Sequence, residues 1–193
     1  MSKTKKPEFI DHFSCTQEKG CEYIAIIPPD LGLLPTIFDK IEHCFEKKKI
    51  SSDDKFQIQI ISEELIANAL LATAEKKKKS FITVHILLAK KQATIIVMDS
   101  GGGIKTDEVK KLRETGKDSI IFLDSLKQGE KSTEINKYGR NHLHKRFGKG
   151  LSIVGKLTDV LEVLFHDGNG NFSPRPQEQT VGTVFLARYI YKY

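Results

Sequence analysis

Five segments of the chain carry the runs of β-branched and aromatic residues that are typical of strands. Only two lysines, Lys90 and Lys91, separate the second segment from the third, so these two strands are predicted to form a hairpin. The five segments span residues 22–27, 81–89, 92–98, 160–166 and 182–190.

Three other segments have the features of helices. In residues 31–45, apolar residues recur at helical spacing and predict a first helix after Asp30. Residues 51–54, Ser-Ser-Asp-Asp, supply N-cap residues and early carboxylates for a longer helix that is expected to run to about Glu75. A glycine-bounded turn opens a third helix in residues 147–159. The apolar stripe of the long helix consists of Ile58, Ile61, Leu65, Ala69 and Ala72.

The order of these elements predicts the fold class. Helices mostly lie between groups of adjacent strands, which indicates an α+β fold: a two-layer sandwich of a mixed, mostly antiparallel sheet with helices on one face. Residues 1–20 are polar and are predicted to be a loosely ordered tail, and residues 21–193 are predicted to be the folded domain. Within that domain, residues 104–147 hold no clear strand, and a connection so long is usually a lid or a binding loop.

Length and composition favour one globular domain. The chain has 193 residues, and no apolar run approaches the roughly 20 residues that a membrane-spanning helix needs. No apolar stretch follows the basic start as it does in a signal peptide. We therefore expect a cytoplasmic protein that does not associate with membranes.

Charge and cysteine content exclude two further classes of site. The net charge is +6, but the lysines form short clusters at predicted turns, without the interleaved aromatic residues of a surface that binds single strands. Nucleic-acid binding is therefore not expected. The three cysteines, Cys15, Cys21 and Cys44, lack the spacing of zinc ligands and are predicted to be free thiols.

The long helix carries an unexpected polar pair, Glu64 and Asn68. Asparagine is a poor helix former, and its position four residues after Glu64 places both side chains on one helix face. The amide oxygen of asparagine is a suitable ligand for a Mg²⁺ ion whose other ligands are water and phosphate oxygens. The carboxylate of Glu64 is suited to accept a proton from a hydroxyl group that attacks a phosphate. A solvated polar pair at this common helical spacing is the simpler alternative.

Two glycine-containing motifs add candidate ligand contacts. Asp99 directly follows a strand and precedes Gly101 and Gly103. A carboxylate at the end of a strand is suited to accept a hydrogen bond from the amino group of adenine. The two glycines would let the flat adenine ring approach the backbone closely. A glycine-rich turn with a capping Asp is the alternative. The second motif, Gly148-Lys149-Gly150-Leu151, begins a helix whose N–H groups form an anion site, and Lys149 and Arg146 would add positive charge.

In this order, the motifs resemble the GHKL ATPase domain that gyrase and histidine kinases share. The matching motifs are E-x-x-x-N on a helix, D-x-G-x-G after a strand, a variable lid, G-x-G-L at a helix start, and G-T before the last strand. Within the superfamily, the chain is most similar to bacterial anti-sigma-factor serine kinases, because a strand and a helix precede the helix with Asn68. The likeness covers about residues 22–190, although Leu71 and Ala72 stand where relatives usually carry a basic, His or aromatic residue.

The resemblance implies a role for each matching residue. Asn68 would coordinate Mg²⁺, Glu64 would act as the catalytic base, and Asp99 would bind the adenine amino group. Gly101 and Gly103 would shape the adenine pocket. The remaining contacts with ATP would come from Arg146, Gly148, Lys149, Gly150, Leu151 and Thr183.

The implied activity is that of an ATP- and Mg²⁺-dependent protein serine/threonine kinase. It would phosphorylate a small antagonist protein and bind a regulatory partner such as a sigma factor, and by analogy a homodimer is also expected. One alternative is the ATP-binding domain of a histidine kinase, which is disfavoured because no phosphoacceptor His lies in a dimerisation hairpin of the sequence. The other is a nucleotide-gated interaction module without phosphoryl transfer, in which ATP orders the lid.

Overall fold

A computed structural model describes residues 9–16, 20–75, 80–102 and 150–192. The elements below lie in these ranges, and the predicted lid at 104–147 lies outside them.

Seven strands form a single open sheet in the described ranges, and all their pairings are antiparallel. Their order in space is β1-β2-β3-β4-β7-β5-β6, and the predicted hairpin corresponds to β3 and β4. The α+β class is confirmed. In chain order the strands are β1 (Ile10–Thr16), β2 (Gly20–Ile27), β3 (Ile82–Leu88), β4 (Gln92–Met98), β5 (Val160–His166), β6 (Phe172–Ser173) and β7 (Gly182–Ile190).

Three α-helices cover one face of this sheet within the described ranges: α1 (Leu34–Lys48), α2 (Ser52–Glu75) and α3 (Gly150–Leu157). A short 3-10 helix, Leu31–Leu33, precedes α1 and is capped by Asp30, whose carboxylate accepts from the Gly32 amide at 2.8 Å. None of these helices combines the length and the apolar character that a membrane span requires.

The core lies between the helices and the sheet. Alternate residues of the central strands β3 and β4 are fully buried, as a sheet with one covered face requires. Because every second side chain points towards the helices, the register of each strand is fixed by burial. Core residues from the two layers include Ile37, Ile41, Ile61, Leu65, Val84, Ile86, Ile95 and Val97.

The prediction of a loosely ordered tail is wrong for residues 10–16, which form the edge strand β1. The strand pairs with β2 over its whole length, from Ile10 opposite Ile26 to Thr16 opposite Gly20. Its side chains are mostly exposed, so the segment lacks the apolar pattern that marks a strand in a sequence. Backbone hydrogen bonds to β2 form this strand, and such bonds leave no trace in side-chain type.

The prediction of three free thiols is also wrong, because a disulfide joins Cys15 to Cys21. The hairpin of β1 and β2 aligns the two residues directly opposite each other, with their Cα atoms 4.0 Å apart. Without β1 this proximity could not be predicted. Cys44 is a buried thiol in α1, and burial raises its pKa to about 12.

The connection between β5 and β7 contains a short strand that the sequence analysis did not predict. Phe172–Ser173 pairs with the end of β5 as the strand β6. A strand of two residues is too short for a sequence pattern to reveal.

The start of α2 is tied to the C-terminal end of the chain through Asp54. This buried carboxylate accepts from the Ser51 hydroxyl at 2.6 Å and the Tyr189 hydroxyl at 2.7 Å. The Lys192 amide donates a third bond, at 3.1 Å. Burial works against the charge, but these bonds outweigh it and lower the pKa of Asp54 below its ordinary value of 3.8. Ser51 caps α2, because its hydroxyl oxygen accepts from the Asp54 amide at 3.2 Å, and the Asp54 carboxylate fixes β7 to the start of this helix.

Asp54→Ala is expected to lower the free energy of unfolding at pH 7 by about 2–3 kcal/mol, because one buried and two partly buried hydrogen bonds lose their charged acceptor. Since the folded-state pKa is lowered, this stabilisation is present above about pH 4 and is lost as the pH falls through the folded-state pKa. Denaturant titrations at several pH values measure both effects. The control Asp53→Ala removes an exposed carboxylate from the same helical turn and should cost less than about 1 kcal/mol. Equal losses for the two variants would contradict this role.

Candidate functional site

One face of α2 presents Glu64, Asn68 and Ala72 on successive turns. The spacing of four residues stacks the three side chains along the helix axis, and each is only partly buried. Neighbouring positions on the core side, such as Leu65 and Ala69, are buried. The polar pair therefore lies at the margin of the core.

Gly150, the first residue of α3, lies directly against this polar pair. A Cβ atom on Gly150 would lie 2.0 Å from Oε2 of Glu64 and 3.5 Å from Nδ2 of Asn68. A side chain at position 150 would therefore displace the Glu64 carboxylate from its present position. The N-terminal end of α3 is thus next to a carboxylate and an amide of α2.

Gly101 makes a similar contact one turn further along α2. A Cβ atom on Gly101 would lie 2.4 Å from the Cβ of Ala72 and 2.8 Å from its carbonyl carbon. The small residue at 72 and the glycine at 101 together bring the end of β4 close to α2.

Asp99 is held at the end of β4 and is buried, with 3% of its surface exposed. Its Oδ1 accepts from the Gly101 amide at 2.7 Å, its Oδ2 accepts from the Thr183 hydroxyl, and its own amide donates to the Thr183 carbonyl at 2.9 Å. Burial raises the pKa of Asp99 above its ordinary value of 3.8, and the hydrogen bonds offset only part of this rise. A desolvated carboxylate held in this way is ready to accept a further donor from a ligand.

The structure places six of the predicted site residues along one side of α2 or at the adjoining end of the sheet. These residues are Glu64, Asn68, Asp99, Gly101, Gly150 and Thr183. Leu151 is half-buried and packs against the hydrophobic core, so at least part of its role is structural. The other four predicted residues, Gly103, Arg146, Gly148 and Lys149, lie outside the described residues.

Two residues of this region escaped the sequence analysis. His166, at the end of β5, is buried and bonds to the backbone carbonyl of Asp99 at 2.7 Å. Gly182 lies between them, because a Cβ atom there would be 1.8 Å from the Asp99 carbonyl oxygen. The G-T pair at the start of β7 was the available signal for Gly182, whereas a single histidine at a strand end gives none.

The donor set fits a nucleotide better than a metal ion held by protein side chains alone. The described part of the chain contains no group of three or more His, Cys, Asp and Glu residues that could hold a metal. Mg²⁺ commonly takes one or two protein ligands and completes its shell with water and substrate phosphates. Asn68 could be such a ligand, because it lies next to Gly150 at the start of α3, where phosphates could bind. The buried acceptor at Asp99 suits the amino group of a base.

Comparison with protein families gives a match over most of the chain. Residues 53–189 match the model of the family described as histidine kinase-, DNA gyrase B-, and HSP90-like ATPase. The matched region begins at the start of α2 and ends in β7, so it contains every residue of the candidate site. No curated protein matches the sequence of the chain.

Gly101→Ala is expected to lower the free energy of unfolding by about 1–3 kcal/mol, because the added methyl group overlaps Ala72. Ala72→Gly alone should lower the free energy of unfolding by about 1 kcal/mol, because glycine is a poorer helix former than alanine. In the double variant, however, Ala72→Gly should recover part of the stability lost through Gly101→Ala, because it removes the overlapping methyl group. A double-mutant cycle from denaturant titrations measures this coupling. Strictly additive effects would show that the two residues do not restrict each other.

Proposed function

Because the chain belongs to the histidine kinase-, DNA gyrase B- and HSP90-like ATPase family, we propose that it is an ATP- and Mg²⁺-dependent protein serine/threonine kinase. Its substrate would be a serine or threonine of a small antagonist protein, and it would also bind a regulatory partner of the sigma-factor kind. The family match supports ATP binding, and the finer assignment to a protein kinase is our inference from the residues of the site.

The observation that carries this proposal is the contact of Gly150 with Glu64 and Asn68. It brings three groups with complementary chemistry together: a helix N-terminus that favours anions, an amide that suits Mg²⁺, and a carboxylate able to accept a proton. Asp99 lies beyond Ala72 on the same side of α2. The groups proposed to contact the two ends of a nucleotide are therefore arranged along one helix. The proposed orientation has adenine at Asp99 and the phosphates at Gly150.

The adenine end depends on the fixed carboxylate of Asp99. Thr183 and Gly101 hold its two oxygens, and each oxygen keeps a lone pair for the exocyclic amino group of adenine. Guanine carries a carbonyl oxygen at the corresponding ring position and would face the carboxylate with a second acceptor. Asp99 is therefore proposed to select ATP over GTP.

The phosphate end would use Asn68, Glu64 and the start of α3. Asn68 would hold Mg²⁺, which when bound neutralises charge on the phosphate oxygens. The N–H groups at the start of α3 would orient the γ-phosphate. Glu64 would accept the proton of the serine or threonine hydroxyl. The hydroxyl oxygen would bond to the γ-phosphorus of ATP, while the bond between that phosphorus and the bridging oxygen breaks and ADP leaves.

The assignment of partners rests on the resemblance to anti-sigma-factor kinases. Its support is the strand and helix, β2 and α1, that precede α2 in the same order. A nucleotide-gated interaction module is the second candidate, and it requires the same nucleotide contacts without the proton transfer to Glu64. A homodimer and a cytoplasmic location remain parts of the proposal.

Glu64→Gln is expected to reduce phosphoryl transfer at least about 100-fold while ATP still binds, because the amide cannot accept the proton. Transfer is measured with radiolabelled Mg-ATP and candidate antagonist proteins, and binding by calorimetry. Glu63→Gln is the matched control, since its carboxylate accepts from Gln59 at 2.9 Å and faces the groove between α1 and α2. If the wild type labels no partner but binds one only with ATP present, the module is the correct function.

Asn68→Ala is expected to weaken ATP binding about tenfold or more in the presence of Mg²⁺ and to change it little in its absence. The reason is that the amide oxygen would contact the metal and not the base. Titration calorimetry with and without Mg²⁺ measures this difference. Gln59→Ala, which removes an amide from the other side of α2, should leave both affinities near those of the wild type. Equal losses with and without the metal would overturn the metal role of Asn68.

A further inference from the structure

The backbone of Asp99 is held from the other face of the sheet by His166. The side chain of His166 is on the face that the helices do not cover, opposite to Thr183 and the Asp99 carboxylate. Its Nε2 nevertheless reaches the Asp99 carbonyl oxygen at 2.7 Å. Because a carbonyl oxygen only accepts, this contact requires a proton on Nε2. The bond therefore fixes the tautomer of the imidazole.

Gly182 makes this contact sterically feasible. A Cβ atom on Gly182 would lie 1.8 Å from the Asp99 carbonyl oxygen and 2.6 Å from Nε2 of His166. Any other residue would separate the imidazole from the carbonyl. Gly182 thus leaves space for the hydrogen bond of His166, while Thr183 donates a hydrogen bond to the Asp99 carboxylate.

The bond to His166 completes the set of contacts around Asp99. Thr183 and Gly101 hold its carboxylate, the Thr183 carbonyl accepts from its amide, and His166 donates to its carbonyl. The His166 carbonyl also accepts from the Val181 amide at 2.8 Å, and the Val181 carbonyl accepts from the Gly102 amide at 2.8 Å. His166 is therefore connected to both ends of the turn that follows β4.

His166 is strongly enclosed for a polar residue. Only 3% of its surface is exposed, and its Nδ1 has no hydrogen-bond partner among the described residues. The ring of Phe172 lies beside it, with 6.4 Å between the ring centroids. An imidazole that served only to fill space could be replaced by an apolar side chain without this unsatisfied atom. The geometry indicates instead a requirement for its single donated bond.

We propose that His166 is a positioning residue for adenine selectivity: its Nε2–H fixes the Asp99 carbonyl and thereby the direction in which the Asp99 carboxylate faces the base. This inference rests on the proposed function, since it assumes that Asp99 binds adenine.

The test compares His166→Phe, which removes the donor but keeps a ring, with His166→Gln, whose amide N–H can occupy the position of Nε2. Dissociation constants for Mg-ADP and Mg-GDP are measured by calorimetry on the full chain. The selectivity, defined as the dissociation constant for Mg-GDP divided by that for Mg-ADP, should fall about three- to tenfold in His166→Phe, the effect of one lost hydrogen bond. It should stay within about twofold of the wild type in His166→Gln. Asp99→Asn, which changes the acceptor itself, should reduce the same ratio.

His85→Phe is the control for loss of a histidine from the same open face, where His85 pairs with Glu22 at 2.7 Å. It should leave the GDP-to-ADP ratio of dissociation constants unchanged. Thermal unfolding of each variant separates loss of selectivity from loss of folding. If His166→Phe does not fold, His166→Asn takes its place, because its shorter amide cannot reach the Asp99 carbonyl.

Nitrogen-15 NMR of the wild-type imidazoles gives an independent readout. His166 should carry its proton on Nε2, and the signal of this nitrogen should shift when ADP binds. A wild type that selects ADP, with unchanged selectivity in His166→Phe or His166→Asn, would overturn the role of His166 and leave the proposed function intact. A wild type that binds neither nucleotide would overturn the proposed function and this inference with it.

Discussion

The close approach of two glycines to one face of α2 is the constraint on which the rest of this site depends. Gly150 leaves no room for a Cβ atom beside Glu64, and Gly101 leaves none beside Ala72. A side chain at Gly101 would push the end of β4 away from the helix, and a side chain at Gly150 would displace the Glu64 carboxylate from its position. Because both segments stay close, a carboxylate, an amide, a helix N-terminus and a buried acid lie along a single helix face. Nucleotide chemistry needs this convergence more than it needs any one residue.

The sheet supplies the rigidity that this arrangement requires. The core between α2 and the central strands fixes the helix position, and Asp54 ties the first turn of α2 to β7 through Tyr189. Asp99 lies at the end of β4, next to Thr183 of the same β7. The contacts that stabilise α2 and the proposed ligand contacts thus share the strand β7. The pKa values of the two aspartates shift in opposite directions. Hydrogen bonds outweigh burial at Asp54 and lower its pKa, whereas burial outweighs the hydrogen bonds at Asp99 and raises its pKa. The Asp99 carboxylate would therefore be stabilised by a further hydrogen bond from a ligand.

Much of the fold and part of the site followed from the sequence because side-chain type reports burial. The hairpin of β3 and β4, the long helix α2 and the position of Glu64 and Asn68 on one helix face were predicted from residue type, capping residues and spacing. The edge strand β1 was missed, since its exposed side chains follow no apolar pattern and backbone bonds create it. The Cys15–Cys21 disulfide was missed for the same reason, because the pairing of β1 with β2 aligns the two thiols.

The sequence by itself determined which residues could do chemistry and in what order they occur: Glu64 and Asn68, then Asp99, then Gly150 and Thr183. Only the tertiary structure decided which atoms meet. The contact of Gly150 with Glu64 joins residues 86 positions apart, and His166 reaches Asp99 from 67 positions away across the sheet. The physical reason is that local patterns encode burial and capping, whereas distant contacts depend on the packing of whole elements. A single buried hydrogen bond such as that of His166 becomes visible only once that packing is known.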